Sequence, residues 1–312
     1  AKFRMGRADD LLTTLILASD KPIVLAPAMN RLMWSNEATQ ENVAILNQRG
    51  WILLHPGSGE QACGEVGEGR MPEPIEIFEA VEEVKKQQQQ TYQAWLDLKQ
   101  FWQGKSLLIT AGPTYENIDP VRVIGNRSSG KMGFSIAEAA AKVGAKVTLI
   151  TGPGQLADAD QVKRINVRSA EQMFTAVQAH YSNADCFISA AAVADFRVAD
   201  IAEQKIKKQS DTDEMTLTLV KNPDIVAWVA QQDDKPYVVG FAAETQNVIE
   251  YAKDKLQRKN LDMICANQVG ETLGFEQSEN ALTLITSEQE LELSLATKDE
   301  LAVQLLKFIS AQ

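Results

Sequence analysis

The sequence has few of the residues that bind metals or form disulfides. Its 312 residues include only three cysteines, Cys63, Cys186 and Cys265, and two histidines, His55 and His180. Because no two cysteines have the C-x-x-C spacing, we expect neither a disulfide framework nor a zinc site. Cys186 and Cys265 lie in apolar strand patterns, which indicates buried and unreactive thiols.

Long apolar runs and an excess of positive charge are also absent. No run approaches the ~18 residues that a membrane span needs, and the start of the chain lacks the apolar core of a secretory signal. We therefore expect a cytoplasmic protein that does not bind membranes. The 31 basic and 42 acidic residues give a net charge of −11. Such a charge argues against nucleic acid as a partner, although a local group of cations could still bind a small polyanion.

The composition is that of a folded protein with two domains. Hydrophobic residues make up 45% of the chain and charged residues 23%, and 312 residues at roughly 150 per domain indicate two domains. The chain starts without Met and within a structural element, so we expect it to be truncated. Its first part shows an apolar strand at 21–26, a helix opening at Ser35 and a second strand at 51–54.

A glycine-rich stretch and a helical pattern follow. Residues 56–72 contain five glycines and two prolines, which predicts a long loop without regular structure. From 74 to about 103 the apolar spacing predicts a helix, and a polar run at 85–90 interrupts its apolar face. We place a helical linker at 85–104, between domains at 1–84 and 105–312.

Strand and helix patterns alternate from residue 105 onward. This alternation predicts a Rossmann-like, doubly wound parallel sheet, and the last two strands predict an antiparallel hairpin before a closing helix. We expect strands at 105–111, 145–151, 184–191, 236–242, 261–266, 281–285 and 290–293, and helices at 130–143, 170–182, 223–232, 245–259 and 297–310.

The glycine motifs of the second domain differ from the standard nucleotide fingerprints. No G-x-G-x-x-G follows the strand at 105–111. The stretch from Gly125 to Met132 has the G-x-x-x-x-G-K spacing, but Met132 stands where a P-loop requires Ser or Thr. Two interpretations remain open: a loop whose free amides at a helix start face an anion, or a flexible loop between domains.

Further candidate groups lie along the second domain, each with a plain structural alternative. Asp195 ends a strand of small residues and could hold a hydroxyl group or a metal, although tight helix packing also explains the alanines. The plain alternative for the basic run at 205–208 is a solvated charge run in an exposed strand or loop. For 221–225 it is the end of one strand followed by a helix start with Asn222 as N-cap. Lys255 and Lys259 share a helix face, where they repel unless an anion lies between them.

Two stretches stand out in the first domain. They are PAMN at 27–30, at a strand end, and ACGEVGEGRM at 62–71, in the glycine-rich stretch. Cys63 lies in the second stretch and could act as a proton donor or as a nucleophile.

Together these stretches resemble the bifunctional coenzyme A biosynthesis family, in which phosphopantothenoylcysteine synthetase is fused behind phosphopantothenoylcysteine decarboxylase. The resemblance covers nearly the whole chain. It rests on the two stretches above and on GPTYENIDPVRVIGNRSSGKMG at 112–133, AAAVADFRV at 190–198, KIKK at 205–208 and KNPDI at 221–225.

The resemblance implies two reactions, a flavoprotein-like first half and a set of site residues. The reactions are CTP-dependent joining of 4′-phosphopantothenate to L-cysteine and FMN-dependent decarboxylation of the product to 4′-phosphopantetheine. In the decarboxylase, Asn30 would orient the substrate carboxylate and Cys63 would supply a proton. In the synthetase it implies catalytic roles for Asn126 and Lys205, and a CTP site formed by Ala190, Ala191, Asp195, Lys205, Lys221, Asn222, Pro223, Asp224, Phe241, Lys255 and Lys259.

From the cation map we expect Lys205 near the α-phosphate, Lys255 and Lys259 near the β- and γ-phosphates, and Mg²⁺ on the phosphates with Asp195 as its ligand.

The family's decarboxylase half begins before the position matching Ala1. We therefore expect most of the FMN site to lie outside this chain, and the chain not to decarboxylate alone. The family also suggests a dimer of the ligase domain.

Two other functions stay open on the sequence alone. One is a non-catalytic binding or regulatory relative of the same family, which would bind CTP without releasing pyrophosphate. The other is a nicotinamide-dependent oxidoreductase, which the missing glycine fingerprint disfavours.

Overall fold

The computed structural model describes residues 1–60, 64–207, 214–244, 246–268 and 279–312. The chain divides into two compact units, Ala1–Trp95 and Leu96–Gln312. Among the described residues, none of the helices combines the length and the apolarity needed to cross a bilayer. The expected boundaries at 84 and 105 stay a prediction.

The first unit is a small α/β assembly. Its sheet has two parallel strands, in which Val24 pairs with Ile52 and Leu25 with Leu53. Its strands are Val24–Leu25 (β1), Ile52–Leu53 (β2), Gly57–Glu60 (β3) and Val66–Arg70 (β4), and its helices are Lys2–Met5 (α1), Leu11–Leu17 (α2), Arg31–Ser35 (α3), Glu37–Gln48 (α4) and the start of Pro74–Trp102 (α5).

The glycine-rich stretch differs from the prediction. Instead of an irregular loop over 56–72, β3 and β4 pair as an antiparallel hairpin. Side-chain propensity argues against strands here, but the paired backbone satisfies its own donors and acceptors, and the glycines let another element approach closely. A Cβ on Gly67 would lie 2.9 Å from the Arg31 side chain of α3.

The second unit is built on an eight-stranded sheet with helices on both faces. The strands of the unit are Ser106–Ala111 (β5), Tyr115–Asn117 (β6), Val123–Gly125 (β7), Lys146–Thr151 (β8), Val162–Asn166 (β9), Cys186–Ser189 (β10), Phe196–Val198 (β11), Leu219–Lys221 (β12), Tyr237–Glu244 (β13), Met263–Gln268 (β14), Glu279–Ile285 (β15) and Glu290–Thr297 (β16). Its other helices are Lys131–Lys142 (α6), Ala170–Gln178 (α7), Ile225–Ala230 (α8), Val248–Arg258 (α9) and Lys298–Ile309 (α10). Eight of the strands form this sheet, and the other four, β6, β7, β11 and β12, form two separate ribbons.

The sheet has the predicted doubly wound form. Its strand order is β16-β15-β14-β13-β10-β5-β8-β9. The six strands from β14 to β9 are parallel, and β15 and β16 add an antiparallel hairpin at one edge. The α/β fold class is therefore confirmed, including the C-terminal hairpin. Strand β9 and the small ribbon β6–β7 were not predicted, and in the ribbon β11–β12 only a strand that ends at Lys221 was expected.

Apolar residues cover both faces of this sheet. One core joins α6, α10 and the end of α5 to the sheet through Trp102, Ile136 and Leu305. The other joins α7, α8 and α9 through residues such as Met173 and Leu256. Each fully buried large side chain contributes roughly 1.5–3 kcal/mol, so the two layers hold the carboxyl edge of the sheet in place. Cys186 and Cys265 are buried in this sheet as expected, and burial raises the pKa of both thiols.

Candidate active site

A cavity of about 410 Å³ lies at the carboxyl ends of β10 and β13. This edge of an open α/β sheet is where ligands usually bind. The cavity combines small residues, two carboxylates and three lysines. It is lined by Ser189, Ala191, Val193, Ala194, Asp195, Phe196, Lys221, Asn222, Pro223, Asp224, Ile225, Val226, Phe241, Lys255 and Lys259.

The structure thus brings together most of the residues expected around CTP. Nine of them share the cavity wall. The exceptions are Ala190 and Lys205, which are not among its lining residues. Ala190 directly follows β10, where its backbone N–H donates to Thr110 O over 3.1 Å. Lys205 lies outside regular structure with an exposed side chain.

Two cations enter the cavity from α9. Lys255 lies in the last turn of the helix, and its Nζ donates to the Phe241 carbonyl oxygen over 2.9 Å. Lys259 follows the last helical residue, and its Nζ lies 2.6 Å from Asp224 Oδ2. The Lys259 side chain is only 16% exposed. Both side chains line the cavity, so the two ammonium groups face the same space.

The segment that carries Asp224 is anchored to the segment after β10. The backbone N–H of Asn222 donates to Asp195 O, and its side-chain Nδ2 donates to Ala194 O, each over 2.8 Å. Arg197, which the sequence did not single out, donates to Lys221 O over 2.8 Å and to Asn222 Oδ1 over 3.3 Å.

Asn222 does not cap the following helix, as its residue type suggested. Asp224 is the N-cap of α8, and its Oδ1 accepts from the Ala227 N–H over 3.1 Å. The Asn222 side chain is instead used in the bridge to Ala194, which only the folded chain supplies. The same Asp224 carboxylate therefore caps a helix with one oxygen and pairs with Lys259 through the other.

Asn126, which directly follows β7, contacts the cavity wall. Its Nδ2 donates to the carbonyl oxygen of Val193 over 3.0 Å. The segment after β10 is also bonded to the segment after β5, since Ala194 N–H donates to Thr114 Oγ1 over 3.0 Å. These bonds place the loop that starts at Asn126 beside the small residues that follow β10.

Close backbone packing sets the start of α6 against the end of β5. A Cβ on Gly130, where φ is +74°, would lie 3.1 Å from Gly112 Cα, and one on Gly133 would lie 2.5 Å from Ala111 Cβ. With glycine as the N-cap residue, no side chain at that position takes up the first-turn amides of α6. The hydroxyls of Ser128 and Ser129 accept from the amides of residues 130 and 131.

The first unit contains one further polar cluster. Asn30 is the N-cap of α3, where its Oδ1 accepts from the Leu32 N–H over 2.8 Å and its Nδ2 donates to Glu65 Oε2 over 2.9 Å. Glu65 also pairs with Arg31 over 3.3 Å. Asn30 thus contacts Glu65, two residues after Cys63 in the sequence, while Cys63 itself lies outside the described residues.

Comparison with known proteins supplies the family. The family model described as the DNA/pantothenate metabolism flavoprotein C-terminal domain matches residues 102–312, and the Flavoprotein model matches residues 1–86. The Coenzyme A biosynthesis bifunctional protein CoaBC of Vibrio vulnificus strain CMCP6 is 52% identical over 311 residues, which are 99% of this chain and 75% of that protein. The chain belongs to the coenzyme A biosynthesis bifunctional protein family.

Other members of this family agree in sequence and in structure. The CoaBC protein of Escherichia coli K12 is 48% identical over 98% of this chain and 73% of its own length. The crystal structure of the C-terminal domain of a CoaBC protein superposes with a TM-score of 0.58 at 42% identity, over 68% of this chain and 96% of that one. The resemblance inferred from the sequence is therefore confirmed. The individual roles assigned to the site residues stay predictions.

Proposed function

We propose that residues 105–312 ligate 4′-phosphopantothenate to L-cysteine with CTP as the energy source, through an acyl-cytidylate. We also propose that residues 1–84 form the C-terminal part of the FMN-dependent decarboxylase domain and that 85–104 link the two. The observation that carries the ligase proposal is the cavity in which Lys221, Lys255 and Lys259 meet at the carboxyl edge of the sheet. Such a site suits a triphosphate in an otherwise acidic chain.

The chemistry explains why the cations are needed. A carboxylate oxygen of 4′-phosphopantothenate attacks the α-phosphorus of CTP, and pyrophosphate leaves. The amine of cysteine then attacks the acyl carbon, CMP leaves, and the amine proton passes to solvent. In the first step a carboxylate must approach a triphosphate, and each pair of unit charges 4 Å apart is worth ~4 kcal/mol at an effective dielectric near 20. Cations placed around the triphosphate offset this repulsion.

Each lysine has a separate role in this proposal. Lys255 and Lys259 hold the β- and γ-phosphates, because α9 directs both into the cavity. Lys205 neutralises the charge that develops on the α-phosphate as the cytidylate forms. Asp224 Oδ2 lies 2.6 Å from Lys259 Nζ, and in this proposal Lys259 exchanges this carboxylate for phosphate when CTP binds. Ala191 and Phe241 line the cavity and lie beside the cytidine in this proposal, with Ala190 directly before Ala191 in the chain.

Asp195 fits a magnesium ion that is shared with the substrate. Its side chain is exposed and lines the cavity, and Mg²⁺ is usually held by one or two carboxylates together with substrate phosphates. The described residues contain no group of three or more acidic, His or Cys ligands, so an all-protein cage is not available there. When bound, Mg²⁺ would neutralise charge on the phosphate oxygens.

Asn126 serves the second step. Its amide can both donate and accept, and its bond to Val193 O holds it beside the small residues that follow β10. We assign it to the acyl-cytidylate while the amine attacks. In this proposal the start of α6, whose N-cap is a glycine, faces an anionic group of the acid substrate.

The first unit carries residues for the decarboxylase substrate. Asn30 is oriented by Leu32 and Glu65, which suits a role in holding a carboxylate. The match of residues 1–86 to the Flavoprotein model implies that FMN takes part in this reaction.

We further propose that the ligase domain forms a dimer with a second copy of itself. The small ribbons β6–β7 and β11–β12 expose a group of large apolar side chains: Val121, Val123, Phe196, Leu219 and Val220. Such a patch is typical of an interface. Leu219→Glu should convert the dimer to a monomer in sedimentation analysis, whereas Leu295→Glu on the exposed part of β16 should not. A wild-type chain that sediments as a monomer would contradict the proposal.

The decisive experiment for the ligase measures pyrophosphate release with CTP or ATP in the presence of 4′-phosphopantothenate, before cysteine is added. We expect release with CTP, a loss of at least about a hundredfold in Lys205→Gln, and little change in Lys253→Gln, a cation on the solvent side of α9. Asn126→Asp should accumulate acyl-cytidylate even after cysteine is added. CTP binding without any pyrophosphate release by the wild-type chain would instead indicate a non-catalytic relative.

A further inference from the structure

The turn between β6 and β7 contains a buried carboxylate that the reaction scheme above does not use. The Asp119 side chain is fully buried. Its Oδ1 accepts from the backbone N–H groups of Val121 and Arg122 over 2.7 and 2.8 Å, which closes the turn. Its Oδ2 lies 3.2 Å from the Arg122 guanidinium. Oδ1 therefore contacts the turn, while Oδ2 can also contact a more distant segment of the chain.

The second oxygen reaches a segment more than eighty residues away. Asp119 Oδ2 accepts from the backbone N–H of Ile206 over 3.2 Å. The Arg122 guanidinium donates from both terminal nitrogens to the carbonyl oxygen of Ile206, each over 3.4 Å. Both backbone polar groups of Ile206 are thus held by one carboxylate and guanidinium pair, which we call the Ile206 clamp.

A third bond supports the same attachment. The backbone N–H of Ala202 donates to the carbonyl oxygen of Ile118 over 3.1 Å, next to Asp119 in the chain. The segment from 199 to 207 has no regular secondary structure, so its position depends on such contacts. Ile206 lies directly between Lys205 and Lys207. Because its backbone is held, the Cα positions of both neighbouring lysines are restricted.

We propose that Asp119, with Arg122, is a positioning residue for Lys205, holding the backbone of Ile206 so that the Lys205 side chain can reach the reacting phosphate. This inference rests on the proposed function of Lys205. A lysine has a flexible four-carbon chain, and an unanchored backbone would add further freedom that must be lost in the transition state. Asp119 and Arg122 act through the backbone of a neighbour and need not touch the substrate.

The Asp119 carboxyl is ionised at neutral pH, and this charge stabilises the Ile206 clamp. Burial of the Asp119 carboxyl raises its pKa, but the backbone N–H donors of Val121, Arg122 and Ile206 and the charge of Arg122 outweigh burial and hold the pKa below its ordinary value. The folded state therefore gains stability from the ionised carboxylate above the ordinary carboxyl pKa and loses it as the pH falls toward the lowered value.

The test uses Asp119→Asn in the full chain, which keeps a side chain of the same shape but removes the charge. The matched control is Asp200→Asn, an exposed carboxylate on the clamped segment. The first measurement is the rate of trypsin cleavage after Lys205 and after Lys207, followed by mass spectrometry. The cleavage rate measures how firmly the segment from 199 to 207 is held, and it does not depend on enzymatic activity. We expect cleavage in Asp119→Asn to be at least about fivefold faster, with the control unchanged.

The second measurement is pyrophosphate release from CTP and 4′-phosphopantothenate, together with the Kd for CTP. We expect Asp119→Asn to slow release by about tenfold and to change the Kd by less than about twofold, because the cavity cations are unaffected. In the double variant Asp119→Asn/Lys205→Gln, the Asp119 change should add nothing to the loss caused by Lys205→Gln. A general loss of stability would instead lower the rate by the same factor in both backgrounds.

The possible outcomes separate the clamp from the proposed reaction. Unchanged trypsin cleavage, a wild-type rate of pyrophosphate release, or additive effects in the double variant would overturn the role of Asp119 as a positioning residue for Lys205. If the wild-type chain releases no pyrophosphate with CTP, the proposed function fails, and the cleavage rates alone decide whether Asp119 holds the segment. Faster cleavage, slower release and no additivity together would support the inference.

Discussion

The cations of the second unit are held in two different ways. Lys255 and Lys259 lie at the end of α9, where the helix backbone spaces them one turn apart and apolar residues such as Leu256 fix the helix on the sheet. Lys205 lies on a segment without regular structure, and its neighbour Ile206 is held by side chains from a distant turn. The helix presents its lysines through local geometry, whereas the loop depends on tertiary contacts.

This difference suggests that the two kinds of lysine act at different steps of the reaction. The helix-borne pair is preformed and suits binding of the nucleotide before any chemistry. The loop-borne lysine depends on hydrogen bonds made by its neighbour Ile206 rather than on a helix, so it suits a group that acts only once both substrates are in place. Binding and rate should therefore respond differently when each type of lysine is changed.

The strongest test of the comparison replaces Lys259. Lys259→Gln should weaken CTP binding by roughly ten- to hundredfold, because a hydrogen bond to a charged group is worth about 1.5–3 kcal/mol. Lys205→Gln should leave the Kd nearly unchanged while it reduces pyrophosphate release. Isothermal titration of CTP into the two variants measures this difference.

Lys253→Gln is the control for that experiment. Lys253 lies on the same helix, but its Nζ pairs with Glu290 over 2.7 Å on a surface away from the cavity lining. It should bind CTP like the wild type. If Lys205→Gln weakened CTP binding as much as Lys259→Gln, the two regions would not differ in the way described.

A smaller effect is expected from the carboxylate that pairs with Lys259. Asp224→Asn keeps an effective helix N-cap for α8 but removes the negative charge that competes with phosphate. CTP binding should tighten by about two- to fivefold, the range expected for a partly exposed ion pair. The same titration measures it, and weaker binding of CTP to Asp224→Asn would show that Asp224 contacts the nucleotide favourably.

Much of the large-scale fold could be predicted from the sequence. The continuous apolar strand at 105–111 and the helix at 130–143 correspond to β5 and α6 within one residue at each end. These patterns are strong because both faces of a parallel sheet are buried and leave few polar residues. The terminal hairpin was likewise visible in its alternating residues at 290–293.

Other parts could not be predicted, for reasons that the residues explain. The strands at 57–60 and 66–70 are rich in Gly and Glu, and the hairpin forms through backbone pairing and contact with Arg31 rather than side-chain propensity. The strands β6 and β7 were missed because strands of three residues leave no periodic signal. Asp119 was missed because a single Asp before Pro is an ordinary turn residue in any sequence.

Sequence alone determined the family, the fold class, and the set of residues from which the nucleotide site would be drawn, because motif spacing and apolar periodicity are local properties of the chain. Only the tertiary structure decided that Asn222 bridges two segments instead of capping a helix, that Asp224 pairs with Lys259, and that Ile206 is held by Asp119 and Arg122. Each of these bonds joins residues far apart in the chain, and their partners are chosen by the packing of the sheet rather than by the residues' own preferences.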